Sequence, residues 1–224
     1  MHAKGAGRQL ITRRLFGPRQ IQCAERFHIV RTAALTLRAA TLVEFRIALA
    51  GASDDQAQRW FGWVDSDIYP EPHRSALLSL PSDGGERPKQ PIVTRRTHLV
   101  AIDAVRLRVA GAISIDAMPA GFYVGGWLTP SYRGQGLGRE LFGAALLYGH
   151  QHLGIEVLRA GAEASNTASR KSLEAVGFQP TQGVPTHQLP NGRLITSSWY
   201  EHVAPASHCR GLPLTNHAEL LVGA

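Results

Sequence analysis

The 224-residue sequence has only two cysteines, no long apolar run and fewer acidic than basic residues. Cys23 and Cys209 give neither a disulfide framework nor the spacing of a zinc site, so we expect a reducing compartment. No apolar stretch approaches 18 residues, so no membrane-spanning helix is expected. The N-terminus also lacks the apolar block of a secretory signal. Hydrophobic residues make up 44% of the chain, which argues against wholesale disorder.

The excess of positive charge lies at one end of the chain. Lys and Arg number 24 against 17 Asp and Glu; residues 1–34 hold seven of the cations and a single acid, whereas 35–224 are nearly neutral. The near-neutral charge of residues 35–224 argues against a fold whose main surface binds nucleic acid. A contact between nucleic acid and the basic N-terminal arm stays open. We expect residues 1–33 to be a disordered extension. A mitochondrial transit peptide and a misassigned start codon are the alternatives.

Hydrophobic periodicity predicts one domain over residues 34–203 and a C-terminal tail over 204–224. Thr41 and Ser53 are the expected caps of the first two helices. Strands come first and strand–helix alternation follows, a pattern typical of an α/β fold with a mixed sheet. The predicted strands are 34–38, 97–102, 106–115, 121–129, 155–162 and 194–203, and the predicted helices are 41–49, 53–61, 74–80, 136–150 and 166–176.

A glycine-rich run, Arg133 to Gly138, follows a predicted strand and opens a predicted helix. Glycines let backbone N–H groups approach a ligand without obstruction by Cβ. The helix N-terminus adds partial positive charge and unpaired donors, which suit a pyrophosphate. The spacing is neither that of a dinucleotide fingerprint nor that of a nucleotide-hydrolase loop. A glycine-rich turn that only caps the helix stays open as an alternative.

Two motifs in this order resemble the GNAT N-acetyltransferase superfamily. The run from Arg133 to Gly138 matches its Arg-x-x-Gly-x-Gly acetyl-CoA signature, and the run from Asn166 to Phe178 looks like the following motif of the RimJ/RimL-like branch. The segments 35–38 and 58–60 are also similar to that branch. The resemblance covers roughly residues 34–203.

The resemblance implies a mixed, splayed β-sheet flanked by helices, with acetyl-CoA as cosubstrate in the V between strands 121–129 and 155–162. Backbone groups of the first strand would pair with the pantetheine arm, and the loop amides would hold the pyrophosphate with Arg133 nearby. Asn166 would bind the pantetheine or cap its own helix, and Arg170 would approach the CoA phosphates or solvent. The implied cofactor-binding residues are Leu128, Thr129, Arg133, Gly134, Gln135, Gly136, Leu137, Gly138, Asn166 and Ser169.

The implied reaction transfers an acetyl group from a thioester to a neutral amine. At pH 7 an α-amine with a pKa near 7.8 is roughly 10% neutral, and a lysine near 10.4 is about 0.04% neutral. A peptide N-terminal amine therefore requires less help from a base than lysine does. A small-molecule amine is the other acceptor class that stays open. Neither cysteine lies near the motifs, so we expect direct attack in a ternary complex rather than a covalent acetyl-cysteine.

The catalytic groups are less evident. Leu173 stands where many members of the superfamily carry a tyrosine as general acid, and leucine cannot donate a proton. Ser169 is the candidate that would replace the tyrosine as general acid. One alternative is that its hydroxyl bonds to the preceding helical turn. Another is that the CoA thiolate leaves without a general acid. Glu163 is the first candidate for the base. The other candidates are Asp116, His187, Tyr200 and an ordered water, while the four tryptophans are interpreted as core or cleft wall.

We therefore expect a cytoplasmic, acetyl-CoA-dependent N-acetyltransferase without a metal. Its expected partners are acetyl-CoA and an amine acceptor; a homodimer is allowed for, and neither a membrane nor nucleic acid is expected, apart from a non-specific contact by the basic arm. The alternative is a non-catalytic acyl-CoA-binding regulatory module of the same fold, suggested by the missing tyrosine and the lack of an evident base. A nucleic-acid-binding protein that uses the arm is the third hypothesis.

Overall fold

A computed structural model describes residues 21–24, 27–64, 68–83 and 96–205. Its strands are β1 (Ile21–Ala24), β2 (Phe27–Arg31), β3 (Leu35–Arg38), β4 (Arg96–Asp103), β5 (Val109–Met118), β6 (Gly121–Leu128), β7 (Val157–Glu163), β8 (Gln179–Thr181), β9 (Thr186–Gln188) and β10 (Leu194–Val203). Its helices are α1 (Leu42–Gly51), α2 (Asp55–Phe61), α3 (His73–Ser79), α4 (Leu137–Leu146) and α5 (Thr167–Glu174). A 3₁₀ turn spans Pro130–Tyr132, and α4 continues as a π-helical turn over Leu147–His152.

The strands form one sheet in the order β1-β2-β3-β4-β5-β6-β7-β10-β8, and β9 also pairs with β10. Neighbouring strands are antiparallel throughout this part of the chain, except for the parallel pair β6 and β7. These two strands pair only at Phe122–Leu158 and Tyr123–Arg159, and no further pairs follow toward their C-terminal ends. The predicted α/β fold with a mixed, splayed sheet is confirmed.

The caps of the first two helices follow from short side chains at the right spacing. Thr41 and Glu44 form a capping box at α1, in which the Thr41 hydroxyl accepts from the Glu44 N–H at 3.2 Å. Asp54, not Ser53 as predicted, caps α2 and accepts from the Ala57 N–H at 3.2 Å. Because α1 continues to Gly51, Ser53 lies in its closing turn, where its hydroxyl donates to the carbonyl of Leu49 at 3.0 Å.

The core has two parts, one on each face of the sheet. On one face α4 packs through Leu141 and Ala145 against β5, where Ile113 and Ile115 are buried. On the other face α1 packs through Ile47 and Ala48 against the opposite side of β4 and β5. The alternation of side chains along β5 thus supplies both halves of the core, which fixes the sheet between α1 and α4.

The predicted strands and helices that fall on described residues are confirmed, with shifts of a few residues at their ends. Four strands were not predicted from the sequence. The segments 21–24 and 27–31 form β1 and β2, which pair with each other and extend the sheet beyond β3, whereas we expected an extension without structure. The strands β8 and β9 are three residues long and exist through pairing with β10.

The remaining terminal predictions lie outside the described residues. Residues 1–20 and 206–224 hold most of the basic arm, Cys209 and nearly all of the expected C-terminal tail. Within the described ranges, no helix has both the length and the apolar composition needed to cross a bilayer.

Candidate active site

A V-shaped cleft opens where β6 and β7 diverge. Its volume is about 750 Å³, and it is lined by residues of α2, β6, β7, the start of α4 and the start of α5. Its position between the C-terminal halves of β6 and β7 agrees with the position expected from the sequence. The splay leaves backbone groups of both strands without a neighbouring strand, and such groups are available to a ligand.

The backbone of β6 presents donors to this cleft. The N–H of Thr129 donates to the carbonyl of Ala110 at 2.9 Å, and Leu128 lies opposite Gly111. Since backbone groups alternate between the two sides of an antiparallel strand, those of Leu128 and Gly126 point away from β5 and toward the cleft. The carbonyl of Thr129 accepts from the N–H of Tyr132 at 3.0 Å. Both backbone groups of Thr129 are thus used, and the structure does not bring Thr129 to the cleft, contrary to the prediction.

The glycine-rich loop leads into α4 with exposed amides. Gly134 and Gly136 have φ angles of +72° and +77°, a conformation that favours glycine. A Cβ built on either residue meets no heavy atom within 4 Å, so the space beside the loop is open. Among the described residues, none accepts a hydrogen bond from the amides of Gln135 to Gly138. The helix N-terminus therefore offers several free donors at the cleft, as an anion-binding site requires.

Not every residue of the loop faces the cleft. Gly134, Gly136, Leu137 and Gly138 line it, whereas Gln135 does not. The side chain of Gln135 turns back and donates to the carbonyl of Ser131 at 2.6 Å. The predicted binding of the pyrophosphate by Gln135 can therefore involve only its backbone amide.

Arg133 does not have a free guanidinium. Its Nη1 and Nη2 donate to the two carboxylate oxygens of Asp54 at 2.8 and 2.6 Å, and its Nε donates to the carbonyl of Leu128 at 2.9 Å. The remaining N–H groups donate to the carbonyl of Gly51 at 2.9 Å and to Oε1 of Gln56 at 3.3 Å. All five N–H donors of the guanidinium are used within the protein. This geometry leaves none for a pyrophosphate, so the predicted ligand role of this side chain is corrected to one of support.

Asn166 and Ser169 lie in the first turn of α5 and line the cleft. Oδ1 of Asn166 accepts from the N–H of Ser169 at 3.1 Å, which makes Asn166 the cap of the helix. The amide nitrogen of Asn166 has no hydrogen-bond partner in the part of the chain that is described, so capping leaves this donor available to a ligand. The hydroxyl of Ser169 is likewise unbonded among these residues, and the predicted alternative of a bond to the preceding turn is not observed.

Glu163 ends β7 and lies at the edge of the cleft. Its carboxylate accepts from Nη2 of Arg193 at 2.8 Å and from the hydroxyl of Ser165 at 2.6 Å. The hydrogen bond from Arg193 is the main reason why the pKa of Glu163 is lowered; the Ser165 bond and the charge of Arg193 add to it against a smaller effect of burial. Glu163 is therefore ionised at neutral pH and is held in a fixed orientation.

Of the other candidate bases, only one lies at the cleft. His187 of β9 lines it, whereas Asp116 and Tyr200 do not. The buried hydroxyl of Tyr200 donates to Oε1 of Glu174 at 3.0 Å and accepts from Nε of Arg170 at 2.9 Å. This network also turns Arg170 away from the cleft, against the alternative in which it approaches the CoA phosphates.

Sequence reasoning missed two features of the site. The first is Gly126, whose cleft-facing backbone follows from the pairing register and could be found only by counting back from Leu128. The second is which of the four tryptophans, interpreted from the sequence as core or cleft wall, form the wall: Trp60, Trp127 and Trp199 line the cleft, and Trp63 does not. Because these tryptophans come from α2, β6 and β10, no spacing along the chain reveals that they share one cavity.

A family model of the acetyltransferase (GNAT) domain matches residues 34–179. Similar solved structures include RimL, a ribosomal α-N-protein acetyltransferase in complex with coenzyme A, at 19% identity and a TM-score of 0.60, with 78% of this chain and 97% of that chain covered. The spermidine N-acetyltransferase from Vibrio cholerae, in complex with CoA and spermine, has 16% identity and a TM-score of 0.59 over 77% and 96% of the two chains. A GNAT-family acetyltransferase from Bacillus anthracis has 15% identity and a TM-score of 0.57 over 78% and 98%. The comparison with curated proteins found no match.

The family match runs from the residue before β3 to the start of β8 and includes the glycine-rich loop, both splayed strands and α5. The likeness to solved structures, at these identities, shows the fold. A non-catalytic module is not favoured, because the matching family and these similar structures are acetyltransferases. The chain belongs to the GNAT acetyltransferase family.

Proposed function

We propose that the protein transfers an acetyl group from acetyl-CoA to a primary amine by direct attack in a ternary complex. A bond forms between the amine nitrogen and the carbonyl carbon, and the bond between that carbon and sulfur breaks; nitrogen loses one proton and sulfur gains one. Acetyl-CoA, when bound, supplies the acyl group in activated form. The observation that carries this proposal is the open V between β6 and β7, with free amides on both its β6 edge and the α4 loop.

The residues present fit such a ligand. The backbone N–H groups of Gly126 and Leu128 face the cleft at the height where a pantetheine arm would extend the sheet. The amides of Gln135 to Gly138 suit a pyrophosphate because they are unbonded, lie at a helix N-terminus and have open space beside them. The amide nitrogen of Asn166 adds a donor on the β7 side. Arg133 supports the loop from behind.

Ser169 is our candidate for protonating the leaving sulfur. Its side chain lines the cleft, and its hydroxyl hydrogen has no acceptor among the described residues, so it is available to a ligand. Leu173, by contrast, is fully buried in the core and offers no proton. The hydroxyl donates to the sulfur and regains its proton from water.

Glu163 is our candidate for accepting the proton of the amine, directly or through one water. The hydrogen bond from Arg193 lowers its pKa, so the carboxylate is ionised wherever the amine is neutral. The same bond also lowers the basicity of this carboxylate. His187, which lines the same cleft, is the second candidate for this role.

Within the family we propose the RimJ/RimL-like branch. The motif from Asn166 to Phe178 and the presence of RimL among the similar structures support this assignment. A peptide N-terminal amine and a small-molecule amine both fit the reaction as stated. A homodimer, a cytoplasmic location and domain limits of 34–203 stay predictions.

Isothermal titration with acetyl-CoA tests the binding half of the proposal. We expect the wild type to bind and Gly136→Trp to bind at least tenfold more weakly, because the indole would fill the open space beside the free amides. Val105→Trp, at an exposed turn between β4 and β5, is the matched control and should bind as the wild type does. Equal binding by the Gly136 variant would overturn the assignment of the loop.

Release of free thiol from acetyl-CoA across a panel of amines tests the catalytic half. We expect Ser169→Ala and Glu163→Gln each to lower kcat by about 10²-fold. Their controls are Thr167→Ala in the same helical turn and the exposed Glu156→Gln, both with wild-type rates. Acetyl-CoA binding without thiol release for any amine would contradict the proposed reaction.

A further inference from the structure

The two faces of the splayed strands divide the cleft into two halves. Val124 and Leu128 of β6 and Ala160 of β7 belong to the face that packs on α4. Tyr123, Trp127 and Glu163 have the opposite parity and point to the face of α1 and α2. The indole of Trp127 confirms this direction, since its Nε1 donates to the carbonyl of Ala48 in α1 at 2.8 Å.

We call the half on the α1 and α2 face the acceptor chamber and define it by six lining residues. The glycine-rich loop opens into the other half, at the start of α4, so the chamber is the part of the cleft left for the acceptor. The six residues are Trp60, Phe61, Tyr123, Trp127, Glu163 and Trp199.

Five of these six residues are aromatic, and packing fixes several of their rings. Phe61 meets Trp127 edge to face with ring centroids 5.7 Å apart, and Tyr123 meets Trp199 in the same way at 5.9 Å. The Nε1 of Trp199 donates to the carbonyl of Val184 at 2.7 Å. The indole N–H groups of Trp199 and Trp127 are both bonded to backbone carbonyls. These two rings therefore offer a ligand apolar surface and no free N–H donor.

The chamber has little charge to offer. Among its described lining residues Glu163 is the one carboxylate, and Arg193 pairs with it at 2.8 Å. Arg133, the one Lys or Arg side chain among the described residues that line the cleft, is paired with Asp54. A polyamine bound here would bring several positive charges to a wall with no unpaired carboxylate, and burial of unpaired charge is costly.

The end of α2 lies in close contact with the β9–β10 turn. A Cβ built on Gly62, at the end of α2, would lie 2.9 Å from Cβ of Leu189 and 2.8 Å from Oδ1 of Asn191. Arg193 of the same turn also donates to the carbonyl of Arg59.

We infer that the acceptor is a small monoamine carried on a planar aromatic group, with the ring against the aromatic wall and the single amine near Glu163. This inference rests on the proposed function and narrows its substrate. Edge-to-face or stacked rings in such a wall attract a further ring beyond simple burial of area. A monoamine brings at most one ammonium group beside the Glu163–Arg193 pair, so it buries less unpaired charge than a polyamine does.

The test compares 2-phenylethylamine, tryptamine, butylamine and spermidine on the full-length protein loaded with CoA. Isothermal titration should give affinities for the two aromatic amines at least tenfold higher than for butylamine and spermidine. With acetyl-CoA, kcat/KM from thiol release should follow the same order. Tighter binding of spermidine, or equal binding of butylamine and the aromatic amines, would overturn the inference.

Two variants connect the preference to the wall. Trp60→Ala should raise KM for 2-phenylethylamine at least tenfold while acetyl-CoA affinity and the unfolding midpoint stay close to wild type. Val64→Ala removes an exposed side chain near the end of α2 that does not line the cleft, and it should leave that KM unchanged. An unchanged KM in Trp60→Ala would also overturn the inference. Selective binding without turnover would instead contradict the proposed reaction and leave the aromatic chamber standing, so the two failures are distinguishable.

Discussion

Arg133 donates to both carboxylate oxygens of Asp54, at 2.6 and 2.8 Å, across 79 residues of sequence. Asp54 caps α2, and α2 carries Trp60 and Phe61 into the cleft. Arg133 opens the glycine-rich loop. One ion pair thus joins the loop that we assign to the pyrophosphate with the helix that we assign to the acceptor, and it sets their relative position.

The ion pair gives a prediction that separates a positioning residue from a phosphate ligand. Arg133→Ala and Asp54→Ser, the latter with a capping oxygen retained, should weaken acetyl-CoA binding to a similar extent. The double variant should bind acetyl-CoA no more weakly than either single variant. In unfolding experiments the two substitutions should show a coupling free energy of about 1–3 kcal/mol. Loss of binding in the Arg133 variant alone would contradict a role through Asp54 and would point to the bonds from Arg133 to Leu128 and Gly51 or to a contact with phosphate.

The contact between α4 and α5 depends on the absence of a side chain at Gly138. A Cβ there would lie 2.5 Å from Oγ of Ser172, so Gly138→Ala should lower the free energy of unfolding by about 1–3 kcal/mol. Gly143→Ala is the matched control, because its Cβ would meet Val176 at 3.7 Å, and it should stabilise the helix by about 0.5–1 kcal/mol. Adding Ser172→Ala should restore part of the loss in the first variant. Urea denaturation measures all three.

The buried pair of Arg38 and Glu44 makes stability depend on acid pH. Burial alone would raise the pKa of Glu44, but hydrogen bonds from Arg38, Ser82 and the N–H of Thr41 lower it from 4.5 to about 2. The ionised form is thus favoured in the folded state, and its contribution of about 3 kcal/mol is complete above pH 4.5 and lost as pH falls toward 2.

Urea unfolding at pH 7, 5, 4 and 3 tests this dependence. Glu44→Gln should be less stable at pH 7 by about 3–5 kcal/mol, because Arg38 stays buried without its counter-charge. Its stability should also change less between pH 5 and pH 3 than that of the wild type. The exposed Glu156→Gln should follow the wild-type curve.

A pair of histidines gives a second dependence at higher pH. Nδ1 of His150 lies 2.6 Å from the carbonyl oxygen of Ile155, and its Nε2 lies 2.9 Å from Nδ1 of His202. Burial, with the charge of His150 as a second cause, lowers the pKa of His202 below 6.5. The unfolded chain therefore binds this proton first, so stability falls as pH decreases below 6.5.

Thermal unfolding between pH 7.5 and 5 checks the histidine pair. His202→Gln keeps a hydrogen-bond donor for His150 and removes the titrating group. Over this pH range its unfolding midpoint should therefore fall by roughly 2–4 °C less than that of the wild type. The control His73→Gln, at an exposed position of α3, should retain the wild-type dependence. A wild-type slope in the His202 variant would contradict the assignment.

Local features of the fold were predictable because their causes lie within a few residues. The capping box of Thr41 and Glu44, the cap of Asn166 and the positive φ of the loop glycines each depend on side chains or backbone within one helical turn. The predicted strands β3–β7 and β10 were correct because their alternation reflects burial on one sheet. Strands β8 and β9 are too short for a period, so only their pairing with β10 defines them.

The sequence by itself determined the family, the loop at the start of α4 and the order of strands and helices, since these depend on neighbours along the chain. Tertiary structure alone decided how the site residues are used. In the folded protein all five N–H donors of Arg133 are bonded within the chain. Thr129 and Tyr200 lie away from the cleft, whereas Trp60, Trp127 and Trp199 line it. The physical reason is that pairing register and long-range hydrogen bonds assign each donor to a partner, and no spacing in the sequence specifies that partner.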